Sequence, residues 1–413
     1  MTLEFSGAGP PATSEWPYNV PFEELVGQSY WLGEPFQQVV LKVHSRCNLS
    51  CTYCYVYHQA DQGWRDQPVV MSRRTVEATA ARVAAHARRH SLADVQIVLH
   101  GGEPVLAGTD LLEHVVDTFR DVMPAASRLT FSLQTNATLL DGAMLELCRA
   151  REIQIGVSLD GGAARHNRRR PRRNGRDSFD AVRAGLARLT AEPFRVVFGG
   201  LLCVVDPAND PVEVYEGLLA WHPPAVDFLL PHGNWSARPP GRVADDRRTP
   251  YADWLVTLFD RWYSAPEHET DVRLFEEIIV MLLGGHSRIE TVGLTPSAVI
   301  VVETDGSLEQ VDALKSAYHG AAGTGLHVDR DDLDAALRHP GIVARQIGAA
   351  ALGAECSRCP VHRVCGGGYY PHRYRPGSGF RNRSVYCPDL FALITHIGRR
   401  IRADLDDARR RTE

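Results

Sequence analysis

Cys47, Cys51 and Cys54 fall within eight positions of one another in the stretch SRCNLSCTYCYVYH, 45–58. A structural zinc site wants four ligands and a disulfide wants two. Thiolates spaced C-x3-C-x2-C can hold three irons of a [4Fe–4S] cube in a single loop, which leaves the fourth iron open to a non-protein ligand. A catalytic metal keeps such an open place and a structural metal closes it. Taken alone, the trio is also compatible with a fragment of a zinc site. A second set, Cys356, Cys359, Cys365 and Cys387, has four members. In a loop-rich region these suit a zinc ribbon or a cluster with full protein ligation. Cys148 and Cys203 stand alone and read as buried small hydrophobes.

The elements that must position these groups belong to an α/β chain. Strand-like runs at 37–43, 95–100, 128–133, 153–159, 194–205 and 225–230 alternate with amphipathic helical segments at 73–90, 108–122, 139–151, 178–190, 212–221 and 250–263. Strand-then-helix, six times, predicts a parallel sheet with right-handed crossovers. A partial (β/α) barrel, with its chemistry at the C-terminal strand ends, and a doubly wound sheet both fit that alternation. The first cysteine set directly follows the first strand, at the mouth of such a barrel. Residues 231–250 break the pattern and read as a linker. AVIVVETDGSLEQV predicts a hairpin turning at Asp305-Gly306. A final helix at 388–411 carries Leu390, Ile394, Ile397, Ile401 and Leu405 on one face. The domain division that follows is an N-terminal extension (1–37), the barrel (38–235), a helical linker (236–290) and a C-terminal cysteine-bearing domain (291–413).

Composition excludes several classes. With 44% hydrophobic residues, the 413-residue chain can bury a large core, and its net charge of −5 argues against a nucleic-acid-coating protein. The start, MTLEFSGAGPPATSEWP, has neither the basic nor the apolar segment of a signal peptide, and no apolar run is long enough to span a bilayer. A cytoplasmic protein is expected, in which nine cysteines serve as metal ligands or core residues rather than disulfides. Lys42 and Lys315 are the only lysines among 45 basic residues, a bias typical of GC-rich genomes.

CNLSCTYC, with the aromatic Tyr53 before its third cysteine, resembles the radical S-adenosylmethionine (SAM) enzymes. The resemblance covers about 38–230 and implies a partial (β/α)6 barrel of the TIM type. The family's Gly-Gly-Glu-Pro turn is matched by Gly101, Gly102, Glu103 and Pro104. Later strand ends supply Gln134 and Asn136, then Ser158 and Asp160. Arg170 aligns with an arginine expected near the SAM carboxylate. These residues, with Tyr53, are the SAM contacts that the resemblance implies, the glycines allowing close backbone approach to SAM.

The second cysteine set resembles the auxiliary-cluster part of a SPASM domain, in truncated form. Where the full pattern expects further cysteines stand Val311 and Tyr369, and no cysteine occurs between 204 and 355. One auxiliary [4Fe–4S] cluster is therefore implied beside the SAM cluster. The segments TDGSLEQVDALKSAYHG and GGGYYPHRYR resemble the FxsB-like maturases, which modify ribosomally made precursor peptides; related enzymes join an aromatic ring to a β-carbon as a small cyclophane. The implied partners are a precursor peptide (leader plus core) and an external electron donor such as flavodoxin or ferredoxin, with no nucleic acid and no membrane. Asp312 aligns with the base of the sulfatase-maturing relatives; its plain reading is a solvated surface aspartate. Rival readings are another radical modification on the same scaffold (formylglycine maturation, thioether formation, epimerisation), or a non-catalytic Fe–S electron carrier or peptide-binding scaffold.

Other features have plainer readings. HNRRRPRRNGR (166–176) suits an acidic leader or nucleic acid, and more simply a solvated loop with one SAM-contacting arginine. His100 reads as a strand-end packing residue. His362, His372 and Tyr369–Tyr370 are candidates to line the auxiliary site, with structural packing as the default.

Overall fold

Six strands and their crossover helices account for the first half of the chain. The computed structural model describes residues 14–27, 31–243 and 247–412. After a short helix α1 (Phe22–Val26) come β1 (Gln38–His44), α2 (Arg73–His90), β2 (Asp94–Gly101), α3 (Thr109–Val122), β3 (Arg128–Thr135), α4 (Gly142–Ala150), β4 (Ile153–Ser158), α5 (Phe179–Leu189), β5 (Phe198–Val204), α6 (Pro211–Leu219) and β6 (Ala225–Leu229). The six strands are parallel and neighbour one another in chain order. A doubly wound sheet would reverse its order at a switch point; this one never does. It is an open, partial (β/α)6 barrel.

Local chemistry sets the element ends. The Ser72 side chain accepts from Thr75 N to start α2, and Val76, Ala80, Val83 and Ala87 form its buried stripe. Asp141 and Asp210 cap α4 and α6 in the same way, each cap contributing about 1 kcal/mol. Strand residues alternate between helices and lumen. In β1, Val39, Leu41 and Val43 join the core, while Gln38 and Val40 line an inner cavity and Lys42 reaches Asp312. Cys148 and Cys203 are buried core residues.

Beyond α7 (Pro250–Tyr263), β7 (Asp271–Val272) and α8 (Arg273–Leu282), the chain returns to the barrel. β8 (Val299–Val302) pairs in parallel with the free edge of β1, with Leu41 opposite Val302. It turns through Asp305-Gly306 into antiparallel β9 (Ser307–Glu309), and β10 (Gly323–His327) follows. Gly306 has φ +101°, which glycine tolerates. The hairpin therefore extends the barrel sheet and carries Asp312 to the mouth beside β1.

Several expectations are corrected. The run 194–205 opens with a tight turn at Phe194–Val197, because Phe194 N and Arg195 N donate to Ala191 O before the strand begins. Segment 231–243 is tied down rather than free: fully buried Asn234 donates to Ser316 O and Trp235 Nε1 to Arg383 O. In the C-terminal helix Cys387–Thr412, Leu390, Ile394, Ile397 and Ile401 are buried, but Leu405 is 48% exposed because the helix runs on past the body. Trp16 and Leu25 pack in a second apolar cluster with Tyr370, Tyr374 and Phe380. Residues 1–13 and 28–30 of the expected N-terminal extension lie outside the described residues.

Candidate active site

The loop after β1 and the ends of β2, β3 and β4 enclose a chamber of about 200 Å3. Cys47, Cys51, Cys54, Tyr53, Gly101, Gly102, Glu103, Gln134, Asn136, Ser158 and Arg170 all line it. Asp160 does not. Its carboxylate, 3% exposed, accepts from Tyr53 Oη (2.7 Å) and Val204 N (3.0 Å), and Tyr53 Oη accepts from Arg170 Nη1 (3.1 Å). Asp160 thus acts on the chamber through Tyr53 and Arg170. Glu103 is buried, with Oε1 accepting from Thr135 Oγ1 (2.6 Å) and Oε2 from Asn136 N (2.8 Å), which ties the ends of β2 and β3 together. Burial raises its pKa. Gln134 Nε2 donates to Ser158 Oγ (3.0 Å).

The two glycines answer first to the chain itself. A Cβ on Gly101 would lie 2.2 Å from His44 O, and one on Gly102 would lie 2.4 Å from Arg46 C and O. Gly102 N and Glu103 N donate to His44 O and Arg46 O, so the turn after β2 is pressed onto the start of the cysteine loop. The sequence pattern had reserved these glycines for the approach of SAM.

Burial pushes the Cys47 thiol up to about 12 and the Cys51 thiol up to about 11, so a cation is needed to hold them as thiolates. Leu49 N and Asn136 Nδ2 both point at Cys47 Sγ. The second set, Cys356, Cys359, Cys365 and Cys387, lines its own cavity of about 200 Å3 with His362 and Arg383. Burial pushes Cys365 up to about 12. Among the described residues, the groups of three possible ligand atoms within 4.8 Å of one another contain no cysteine. Four sulfurs on one zinc would lie about 3.8 Å apart; no three of these lie within 4.8 Å of one another. One such compact group, His86, His90 and Asp334, is a poor metal site. Phe36 N donates to His86 Nε2, so the neutral ring carries its proton on Nδ1 and gives it to Asp334 (2.6 Å).

A second chamber of about 380 Å3 adjoins the first, the two sharing Tyr55, His100, Leu229, Leu230 and His232 in their walls. It ends on Asp312, which is 6% exposed and so no surface residue. Lys42 Nζ lies 2.5 Å from Asp312 Oδ2, Lys315 Nζ 3.5 Å from Oδ1, and His100 Nδ1 3.9 Å from Oδ2. Lys315 also contacts Glu303 and Glu309. Burial would raise the Asp312 pKa, but the two ammonium groups outweigh it and hold the carboxyl well below the usual range. Glu309 is raised, first by burial and then by its acidic neighbours. Both lysines of the chain thus meet at one buried aspartate. Val311 and Tyr369 line this chamber too, with His232 and His372. Both ring nitrogens of His372 and Nδ1 of His232 lack partners among the described residues. Of the residues considered for the auxiliary site, only His362 lines it; Tyr370 stacks on Phe380 at 4.5 Å. Tyr55, His232 and the lysines were not singled out as site residues by sequence.

Residues 41–216 match the family model described as the Radical SAM superfamily. This part of the chain is a radical SAM domain. The chain is similar to the cysteine-type anaerobic sulfatase-maturating enzyme of Clostridium perfringens (strain ATCC 13124), 25% identical over 366 residues, 86% of this chain and 94% of that one. The serine-type enzyme of Klebsiella aerogenes is 26% identical over 352 residues, 83% and 82% of the two chains. Among solved structures, native anSMEcpe with bound AdoMet and Cp18Cys peptide shares the fold, with TM-score 0.75, 23% identity and coverage of 90% and 99%. Streptococcus suis SuiB bound to precursor peptide SuiA gives TM-score 0.54, 14% identity and coverage of 86% and 76%. No helix among the described residues is long and apolar enough to cross a membrane.

The protein should lose stability in mild acid. Burial pushes His100, His232 and His339 down to about 4, below the unfolded value of about 6.5. Between those values the unfolded chain binds more protons, so stability falls as pH drops through that window. Each histidine is expected to remove on the order of 2 kcal/mol by pH 5 relative to pH 7. Urea unfolding of the metal-free chain at the two pH values measures this, and equal midpoints would contradict it.

Proposed function

We propose that this radical SAM enzyme matures a ribosomally made peptide, taking one hydrogen atom, one proton and one electron from its side chains. The adjacency of the two chambers carries the reading: one is walled by three cysteines and the ends of β2, β3 and β4, the other ends on an ionised carboxylate. Cys47, Cys51 and Cys54 would hold a [4Fe–4S] cluster. Tyr53, Gly101, Gly102, Glu103, Gln134, Asn136, Ser158 and Arg170 would contact SAM, with Asp160 orienting Tyr53 and Arg170. Cys356, Cys359, Cys365 and Cys387 would hold the auxiliary [4Fe–4S] cluster. When bound, these groups supply one-electron cleavage of SAM, hydrogen-atom abstraction and a one-electron acceptor. The chain's own residues orient the C–H bond, exclude water and accept the proton, for which Asp312 is the base. A carboxylate held so strongly ionised is a weak base, suited to a proton already made acidic by a neighbouring radical or cation.

Oxidation of a cysteine or serine side chain to an aldehyde is the outcome that the sulfatase-maturating relatives support. A ring-to-β-carbon cross-link is the second reading. Tyr55, Tyr369, His232 and His372 around the second chamber favour it, with Val311 and Tyr369 where a further cluster's ligands are expected. A leader-bearing precursor, an external flavodoxin or ferredoxin and a cytosolic setting complete the proposal; all nine cysteines are free thiols. The domain division 38–235, 236–290 and 291–413 is retained within it.

Incubation with a short peptide encoded beside the gene tests both readings. Serine oxidation and cross-linking each remove two hydrogens by mass, and an alkoxyamine captures the aldehyde but not the cross-link. An unchanged mass with 5′-deoxyadenosine formed would point to epimerisation. No 5′-deoxyadenosine at all would leave a carrier or scaffold and end the enzymatic reading.

A further inference from the structure

We propose that the outer face of the arginine loop, 165–177, docks an acidic one-electron carrier protein that reduces the cluster assigned to Cys47, Cys51 and Cys54. The inference rests on the function proposed above. Seven arginines and one aspartate give this segment a formal charge of +6 in a chain of net −5. Much of that charge is used internally. Arg168 and Arg169 pair with Asp206 (2.6 and 2.7 Å), Arg165 pairs with Glu213 (2.8 Å), and Arg170 is buried in the SAM chamber. Arg172, Arg173 and Arg176 remain. Arg173 and Arg176 are exposed, Arg172 is half-buried, and none of the three forms an ion pair among the described residues.

The backbone straps this loop to the cysteine loop. Leu49 bridges Arg172, Ser50 N donates to Pro171 O (2.8 Å), and Thr52 N donates to Arg169 O (2.8 Å). Arg173 Nη1 lies 3.5 Å from Cys47 O. Arg172 and Arg173 thus stand against the outside of the loop that carries the thiols, Arg176 is held on the same turn by Arg172 N donating to its carbonyl (2.8 Å), and none of the three lines either chamber. A peptide substrate must enter the chambers to react. An electron donor has only to approach the cysteine loop from outside, which is why the surface fits a carrier rather than an acidic leader. The transfer moves one electron: the carrier is oxidised by one and the cluster passes from the 2+ to the 1+ state, with no bond made or broken. Guanidinium groups pair bidentately with carboxylates, and charge steering of this kind speeds association about 10- to 1,000-fold and weakens steeply with salt.

The test compares wild type with Arg172→Gln/Arg173→Gln/Arg176→Gln, using flavodoxin hydroquinone and reduced methyl viologen as donors. Cluster bleaching by flavodoxin, and the salt-dependent binding of oxidised flavodoxin, should each fall at least about tenfold in the variant. Reduction by methyl viologen, a small cation, should not change. Arg176→Gln alone, placed away from the cysteine loop, should lower both flavodoxin readings about threefold, which keeps the proposal testable should the triple variant misfold. Unchanged flavodoxin rates and affinity overturn the proposal. So does a parallel loss with methyl viologen, which would make the loop a support for the cluster, or a loss of peptide binding alone, which would make it a leader site. A wild-type chain that neither donor reduces would instead fail the proposed function itself.

Discussion

Replacing Cys47, Cys51 and Cys54 together with alanine abolishes SAM cleavage and leaves about 4 of about 8 iron atoms per chain after anaerobic reconstitution. The expectation follows from the separation of the two thiol sets. The first trio lines the chamber at the barrel mouth, whereas Cys356, Cys359, Cys365 and Cys387 line a different cavity. No residue belongs to both linings, so one set should empty without the other. The loss should also leave the fold standing, because these thiols lie at the mouth, outside the packed strand core. Iron and zinc analysis with 5′-deoxyadenosine counts reads the result. SAM cleavage that survived the triple change would end the radical assignment. Iron near 12 in the wild type, or stoichiometric zinc, would refute the two-cluster count.

Lys42→Met/Asp312→Asn is expected to keep SAM cleavage at the wild-type level while modified peptide falls about 100-fold or more. The double change is chosen over Asp312→Asn alone because the carboxylate is paired with Lys42 at 2.5 Å in a site almost closed to solvent. Removing one partner leaves the other charge buried and unpaired, which costs about 3–5 kcal/mol, whereas replacing both with neutral groups of similar size largely avoids that penalty. Asp312→Asn alone should therefore lose both product and stability, and the double variant product only. Cys387→Ala, in a variant that still folds, should likewise form 5′-deoxyadenosine with little modified peptide. Mass spectrometry of the peptide decides. Normal yield from the double variant would remove Asp312 from the chemistry, and normal yield without the auxiliary cluster would send the electron elsewhere.

The barrel was legible in the sequence because its signals are local. Helix 73–90 was read to the residue, since Ser72 caps it and the buried stripe recurs at helical spacing. What long-range pairing decides was not legible. That β8 would lie against β1, and so set Asp312 beside Lys42, depends on a register between residues more than 250 positions apart. The roles of Gly101 and Gly102 were likewise hidden, because the crowding that excludes a Cβ comes from His44 and Arg46 in three dimensions. Asp160 was read as a chamber residue and instead faces Tyr53 and Val204. His232 sat in a stretch read as linker, and nothing in its immediate sequence pointed to the chamber. One overlooked signal was present throughout. In a chain with 43 arginines, two positions kept lysine, and both serve a pocket that takes a compact ammonium rather than a planar fork.

That economy of lysine has a consequence for the chemistry of the protein's exterior. Lys42 and Lys315 are 2% and 4% exposed, so the folded surface described here presents no side-chain amine. Acylating reagents, amine cross-linkers and the enzymes that acetylate or ubiquitinate lysine would find no lysine on that surface. Both amines would become reactive together only where the pocket around Asp312 unfolds, which makes their acylation a covalent record of its loss.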